Sequence, residues 1–136
     1  MKFSGSCLCG SLKYECSGEV KMAGNCHCLN CKKATGSAYA AVLFVPEDSV
    51  EVTGEVKYYQ STGSNGEPGW RGFCPNCGSS LFEKPGPVPG TLGIGAGSLD
   101  DLSLYKPQMD IFTSRSPDWD CMDPRLPKFT EFPPEG

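Results

Sequence analysis

Three thiols fall within six residues in the segment CHCLNC, at Cys26, Cys28 and Cys31. Thiolate sulfur is a preferred zinc ligand. A structural zinc site takes four protein ligands, whereas a catalytic site takes three and keeps one position open. Three local thiols with no second cluster to join therefore predict a metal centre with an open position.

That interpretation depends on three side chains that could supply a fourth ligand. His27 lies between two of the cysteines, but in extended chain its side chain points away from theirs. Cys16 falls in an alternating segment and is better interpreted as a small core residue. Cys121, in the irregular segment DWDCMD, is the remaining rival.

Four further cysteines form two pairs, and each pair is followed at once by a glycine. The pairs lie in CLCG and CPNCG and comprise Cys7, Cys9, Cys74 and Cys77. A chain that turns back under a metal needs backbone amides directed at the sulfurs and often a residue at positive φ, which glycine tolerates. The two pairs predict a closed four-sulfur structural site that ties an early hairpin to a late one. Buried free thiols and disulfides are the alternatives.

The setting of the nine cysteines favours metal over disulfides. The N-terminus MKFSGSCLCG lacks the apolar core of a signal peptide, and a reducing compartment keeps thiols free. A net charge of −4 and scattered basic residues argue against nucleic-acid binding, and no apolar run approaches a membrane span. We expect a cytoplasmic protein of one domain over residues 1–136, with no nucleic-acid or membrane partner.

Turn-forming residues divide the chain into short segments, since 17 residues are glycine and 12 are proline. The segments between turns are typical of strands, and they include SLKYEC, AYAAVLFV, SVEVTG, VKYYQS and SSLFEK. Only residues 29–36 predict a helical turn. One strand is predicted at 109–113, before an irregular tail that lies on the sheet. The segment GIGAGS at 93–98 lacks the following helix of a nucleotide site and favours close approach of backbones in a sheet.

The order of these motifs resembles the glutathione-dependent formaldehyde-activating enzyme family, which is also named for centromere protein V. The shared features are CLCG, CHCLNC with KKATGS after it, FCPNCGSSLF, GAGSLDD and a late tryptophan, and they span residues 7–129. The resemblance implies a mainly β, zinc-stabilised, Mss4-like fold, a tent of antiparallel sheets. It also implies two zinc ions per chain. The structural ion would be held by Cys7, Cys9, Cys74 and Cys77, and the catalytic ion by Cys26, Cys28 and Cys31.

The chemistry implied by the resemblance is addition of the glutathione thiol to formaldehyde, which gives S-(hydroxymethyl)glutathione. More generally, it is a carbon–sulfur lyase or synthase reaction on adducts of a small thiol and an aldehyde. Zinc at an open position would deprotonate an incoming thiol and hold the thiolate. The alternative is a non-catalytic, zinc-stabilised binding module of the same fold. An exchangeable fourth ligand favours the enzyme, and a protein side chain in that position favours the module.

Several residues near the cysteines could serve such a reaction. Lys32, Lys33 and Arg71 could receive the carboxylates of glutathione, or they could be ordinary solvated charges. Tyr39 and Trp119 could line a pocket, or they could be core aromatics.

Two positions depart from the family pattern. Relatives often carry a histidine at the start of the late IF strand, where this chain has Asp110. Cys121 follows Trp119 closely, where another residue type is usual.

Overall fold

Ten β-strands and one α-helix form the regular structure in a computed structural model that describes residues 2–63, 66–86 and 88–133. The helix α1 spans Leu29–Thr35. Short 3-10 turns occupy Glu47–Ser49, Ala96–Ser98, Leu102–Leu104 and Thr113–Arg115. The strands are β1 (Phe3–Ser6), β2 (Lys13–Cys16), β3 (Met22–Cys26), β4 (Ala40–Pro46), β5 (Val50–Thr53), β6 (Lys57–Thr62), β7 (Pro68–Phe73), β8 (Ser80–Pro85), β9 (Thr91–Gly95) and β10 (Met109–Ile111).

The strands form two sheets. The smaller sheet has the order β1-β2-β5 and is antiparallel throughout. The larger has the order β10-β3-β4-β9-β8-β7-β6, in which only the β10–β3 pairing is parallel. The mainly β fold class is confirmed, as are the helical turn near 29–36 and the late strand near 109–113. Within the described residues, no helix is long and apolar enough to span a membrane.

The main core lies where the smaller sheet packs against the larger one. Residues of β2 alternate between exposed and buried, so Tyr14 and Cys16 point inward. The Tyr14 ring meets Phe82 of β8 edge to face, with the ring centroids 5.5 Å apart. Cys16 is fully buried, and its sulfur lies 3.5 Å from the Ser49 hydroxyl. Cys16 is therefore a core residue, as the alternation predicted.

Helix α1 is short because defined caps bound it at both ends. Its N-cap is Cys28, whose sulfur accepts a hydrogen bond from the Cys31 backbone N–H at 3.2 Å. It ends at Gly36, which adopts φ 69° and donates its N–H to the carbonyl of Lys32 at 2.8 Å. The two caps fix a seven-residue helix of about two turns beyond β3, with Cys28 as its N-cap and Cys31 in its first turn.

The GIGAGS segment forms the end of β9 and a 3-10 turn rather than the start of an α-helix. Gly93 lies between β4 and β8, opposite Phe44 on one side and Glu83 on the other. A Cβ atom at this position would lie 2.9 Å from Cγ1 of Val42. The glycine therefore allows close packing within the sheet, as the sequence predicted.

Candidate metal centres

The four paired cysteines meet where the β1–β2 turn touches the β7–β8 turn. The sulfurs of Cys7, Cys9, Cys74 and Cys77 all lie within 4.8 Å of one another. Those of Cys7 and Cys9 are 3.6 Å apart, and that of Cys9 lies 3.8 Å from that of Cys74. Four convergent thiols at these separations fit a tetrahedral, sulfur-preferring metal ion.

The backbone around this cluster has the form that the glycines predicted. Gly10 and Gly78, which follow the second cysteine of each pair, adopt φ values of 81° and 78°. The turns aim amides at sulfur, since the N–H of Leu12 donates to Cys7 at 3.3 Å. The positive φ values of Gly10 and Gly78 are left-handed conformations that residues with side chains adopt only at a cost.

Hydroxyl groups favour ionisation of the more exposed thiols. Ser79 lies 3.2 Å from the sulfur of Cys77, and this contact is the main reason that the pKa of Cys77 falls to about 5. Ser11 lies 3.1 Å from the sulfur of Cys9 and is the main reason that the pKa of Cys9 falls to about 7. Cys9 and Cys77 therefore favour the thiolate, the form that binds metal, whereas burial raises the pKa of Cys7.

The second cluster forms at the junction of β3 and α1. Cys26 is the last residue of β3, Cys28 caps the helix and Cys31 lies in its first turn, with their sulfurs within 4.8 Å of one another. Cys26 is partly exposed, whereas the other two are buried. Hydrogen bonds from the thiols of Cys26 and Cys31 lower the pKa of Cys28 well below its ordinary value, and the Cys31 amide and the Arg71 charge act in the same direction.

An ion pair lies beside this cluster. Arg71 of β7 and Glu83 of β8 are direct cross-strand partners, and Nη1 of Arg71 lies 3.7 Å from Oε2 of Glu83. Nη2 of Arg71 also donates to the sulfur of Cys31 at 3.6 Å. Burial raises the pKa of Glu83, and the Arg71 charge opposes that shift. Arg71 is thus brought to the cluster, as the sequence suggested, but it arrives with a carboxylate partner that the sequence did not reveal.

His27 does not complete the second cluster. Its ring is fully buried, Nε2 lies 2.8 Å from Oδ1 of Asp110, and Nδ1 is hydrogen-bonded to Oδ2 of Asp120. Both ring nitrogens are therefore engaged by carboxylate oxygens. Neither nitrogen is directed at the thiols, and His27 is not among the side chains that converge there. His27 faces away from the thiols, as predicted.

The carboxylate of Asp110 is the centre of a wider buried network. It accepts hydrogen bonds from Nδ2 of Asn25 at 3.3 Å and from Nζ of Lys128 at 3.1 Å, and Tyr105 donates to Oδ1 of Asn25 at 2.7 Å. Burial alone would raise the pKa of Asp110, but the hydrogen bonds from His27, Lys128 and Asn25 outweigh it and hold this pKa below its ordinary value. Asp110 therefore anchors the CHCLNC loop to β10 and to the tail.

Other residues that the sequence singled out do not join the two cysteine clusters. Cys121 is exposed and belongs to neither group of convergent thiols. Nζ of Lys32 donates to the backbone carbonyl of Arg115, and Lys33 is exposed. Lys32 therefore braces the tail.

The two aromatic candidates differ in their positions. The ring of Tyr39 packs at 5.1 Å from that of His27 and supports the buried network. Trp119 is 71% exposed and does not line the cavity that the three thiols of the second cluster reach. Trp119 is therefore neither part of that cavity's wall nor a core residue.

All three thiols of the second cluster line one cavity of about 530 Å³. Arg71 and Glu83 contribute to the same cavity, which lies over one face of the larger sheet. None of the four cysteines of the first cluster lines it. The second cluster is thus the one that a small molecule in this cavity would reach.

Comparison with known proteins identifies the relatives of this chain. The sequence profile of the family described as glutathione-dependent formaldehyde-activating enzyme matches residues 2–115. The chain belongs to this family. A relative from Halomonas elongata, named "Putative glutathione-dependent formaldehyde-activating enzyme", is 30% identical over 125 residues, which cover 88% of this chain and 80% of the relative. The crystal structure of a Rhodobacter sphaeroides protein from structural genomics matches with a TM-score of 0.57 at 20% identity, over 93% of this chain and 98% of that chain, and shows the same fold.

Family membership confirms the resemblance drawn from the three cysteine motifs. The matched residues include both clusters, the Arg71–Glu83 ion pair and Asp110. Asp120 and Lys128 lie beyond the match, although they pack against residues inside it. Both clusters could hold a metal ion.

Proposed function

We propose that this protein makes and breaks a carbon–sulfur bond between a small thiol such as glutathione and an aldehyde, in the manner of an S-(hydroxymethyl)glutathione synthase. The observation that carries the proposal is the cavity lined by Cys26, Cys28 and Cys31. No fourth metal-ligating side chain converges on these thiols among the described residues. The names of the family and of its Halomonas relative support glutathione and formaldehyde as the substrate pair.

The two cysteine clusters would divide the roles of structure and chemistry. Cys7, Cys9, Cys74 and Cys77 would hold a structural zinc ion, and the three cysteines in the cavity would hold a catalytic one. A zinc ion with three thiolate ligands, when bound, favours the thiolate form of an incoming fourth thiol over activation of water. All nine cysteines are free of disulfides, which accords with a reducing compartment such as the cytoplasm.

Two side chains at the cavity, Arg71 and Glu83, would stabilise thiolate charge and transfer a proton. Arg71 donates to the sulfur of Cys31 and so draws charge from that ligand. Glu83 would accept the proton of the incoming thiol, and burial, which raises its pKa, suits it to hold that proton. As the thiol sulfur bonds to the carbonyl carbon, the carbon–oxygen double bond becomes a single bond. The same proton then passes to the oxygen, giving a hydroxyl and no net change in oxidation state.

Exchange spectroscopy at equilibrium tests this proposal. Zinc-loaded protein should accelerate exchange between formaldehyde, glutathione and their adduct, and the acceleration should be lost in Cys28→Ser. Cys121→Ser is the matched control, because Cys121 is an exposed cysteine outside both clusters. Equal exchange rates for zinc-loaded wild type and Cys28→Ser would exclude this substrate pair and favour the binding module.

A further inference from the structure

The cavity beside the second cluster has apolar walls. Six apolar side chains from β3, β4, β10 and the chain after β10 line it: Met22, Val42, Phe44, Ile111, Phe112 and Phe132. The rings of Phe112 and Phe132 meet edge to face, with their centroids 6.3 Å apart. At about 530 Å³ the cavity is in the size range of sites that enclose drug-sized molecules. A one-carbon aldehyde would leave most of these walls without a contact.

Three cations line the cavity: Lys21 is exposed at its rim, and Arg71 and Lys84 already have anionic partners. Arg71 is paired with Glu83. Nζ of Lys84 lies 3.1 Å from Oε2 of Glu47 and 4.6 Å from the centre of the Tyr58 ring. Because Arg71 and Lys84 are both paired in this way, neither is left to receive a substrate carboxylate in the apolar interior. Burial of an unpaired carboxylate against such walls would be strongly unfavourable.

From this contrast we infer that the substrate carries a bulky apolar group, aromatic or branched, on the carbon side of its carbon–sulfur bond. The inference rests on the proposed function and specifies its aldehyde. The apolar group fills the cavity, while the charged part of the thiol remains at the solvated rim, where Lys21 is exposed. The reaction balances as it does for formaldehyde, because the carbonyl carbon gains the sulfur and the carbonyl oxygen gains the thiol proton.

Stable thioethers test the cavity without any reaction. S-methylglutathione and S-(2-phenylethyl)glutathione share the peptide and differ only in the group on sulfur. Because each added methylene in an apolar pocket changes discrimination by about tenfold or more, the phenylethyl thioether should bind at least tenfold more tightly by calorimetry. Equal affinities would overturn the inference.

Gly69 provides a variant that narrows the cavity. It lies in β7 two residues before Arg71, so a side chain there projects from the same face of the sheet. A Cβ atom at Gly69 meets only the carbonyl oxygen of Lys84, at an ordinary 3.6 Å. Gly69→Val should therefore fold and should reduce the affinity for the phenylethyl thioether at least tenfold. Val52→Ala, at an exposed position of β5 in the smaller sheet, is the control that should not change it.

Exchange measurements separate this inference from the function on which it rests. Zinc-loaded wild type should accelerate exchange of the phenylacetaldehyde–glutathione adduct at least tenfold more than that of the formaldehyde adduct. Gly69→Val should lower this ratio at least tenfold. Acceleration with formaldehyde alone would overturn the inference and leave the proposed function standing. Acceleration with neither aldehyde would overturn both.

Discussion

Replacement of His27 by phenylalanine should destabilise the protein far more than a surface change would. The imidazole is fully buried between two carboxylates, and phenylalanine keeps an aromatic ring but donates no hydrogen bond. Asp110 would retain Asn25 and Lys128. Oδ2 of Asp120 would lose its hydrogen bond to the ring, and Oδ1 is already buried without a partner among the described residues.

The expected loss follows from the number of contacts removed. Two hydrogen bonds to charged groups, at about 1.5–3 kcal/mol each, give roughly 4 kcal/mol, in line with the cost of about 3–5 kcal/mol for breaking a buried ion pair. A loss of this size is a large part of the roughly 5–15 kcal/mol that stabilises a typical domain. With a guanidinium m-value of about 4 kcal/mol per molar, the unfolding midpoint should fall by about 1 M.

The assay is guanidinium unfolding of zinc-loaded protein, followed by circular dichroism, with metal content measured before each titration. Lys128→Met is the matched control, because it removes a different partner of Asp110. The Lys128 side chain is 34% exposed, so its loss should cost about 1 kcal/mol or less. A similar, small loss for both variants at equal metal content would refute the reasoning that the buried imidazole carries the network.

Four other measurements test the remaining assignments. Elemental analysis of protein purified under reducing conditions without chelator should find up to two zinc ions, and chelator should remove one readily, because an open position admits competing ligands; zinc-free protein would contradict both clusters. Cys74→Ser should lose the folded state in a thermal melt, whereas Cys28→Ser should stay folded, and equal unfolding would make the second site structural. The pKa of Asp110 is lower in the folded state than in the unfolded state. The stability that the Asp110 carboxylate contributes is therefore fully present above the unfolded-state pKa, at about pH 4, and is lost as pH falls through the folded-state pKa. The difference in unfolding free energy between wild type and Asp110→Asn should therefore be constant above that pH and shrink below it, and a difference that does not change would contradict this. Gly93→Ala places a Cβ 2.9 Å from Cγ1 of the stiff Val42 side chain, so it should lower stability by about 1–3 kcal/mol in urea titrations, and an unchanged midpoint would show that the sheet has room.

The cysteine spacings predicted both clusters because metal ligands often lie two or three residues apart, a spacing that can be read from the sequence alone. The glycines after Cys9 and Cys77 gave a further local signal, since a turn under a metal needs positive φ. The partners of these clusters were harder to predict. Glu83 reaches Arg71 through the register of β7 and β8, and nothing in a single strand encodes that register.

The role of Asp120 was hidden for a related reason. It lies in an irregular segment with no periodicity, and it meets His27 across 93 residues of chain. The neighbouring aromatic, Trp119, drew attention by its residue type but is exposed. Residue chemistry identified groups able to react, whereas long-range packing decided which of them meet.

The parallel pairing of β10 with β3 affects the order in which the two centres can form during synthesis. Cys74 follows Cys9 by 65 residues, whereas Asp110 follows His27 by 83 residues and Asp120 follows it by 93. As a chain emerges from its N-terminus, the four-thiol site can therefore close while the loop of the second site still lacks both carboxylates. The surroundings of the second cluster should thus form last, so the three-thiol loop stays exposed on the incomplete chain for longer than the four-thiol site does.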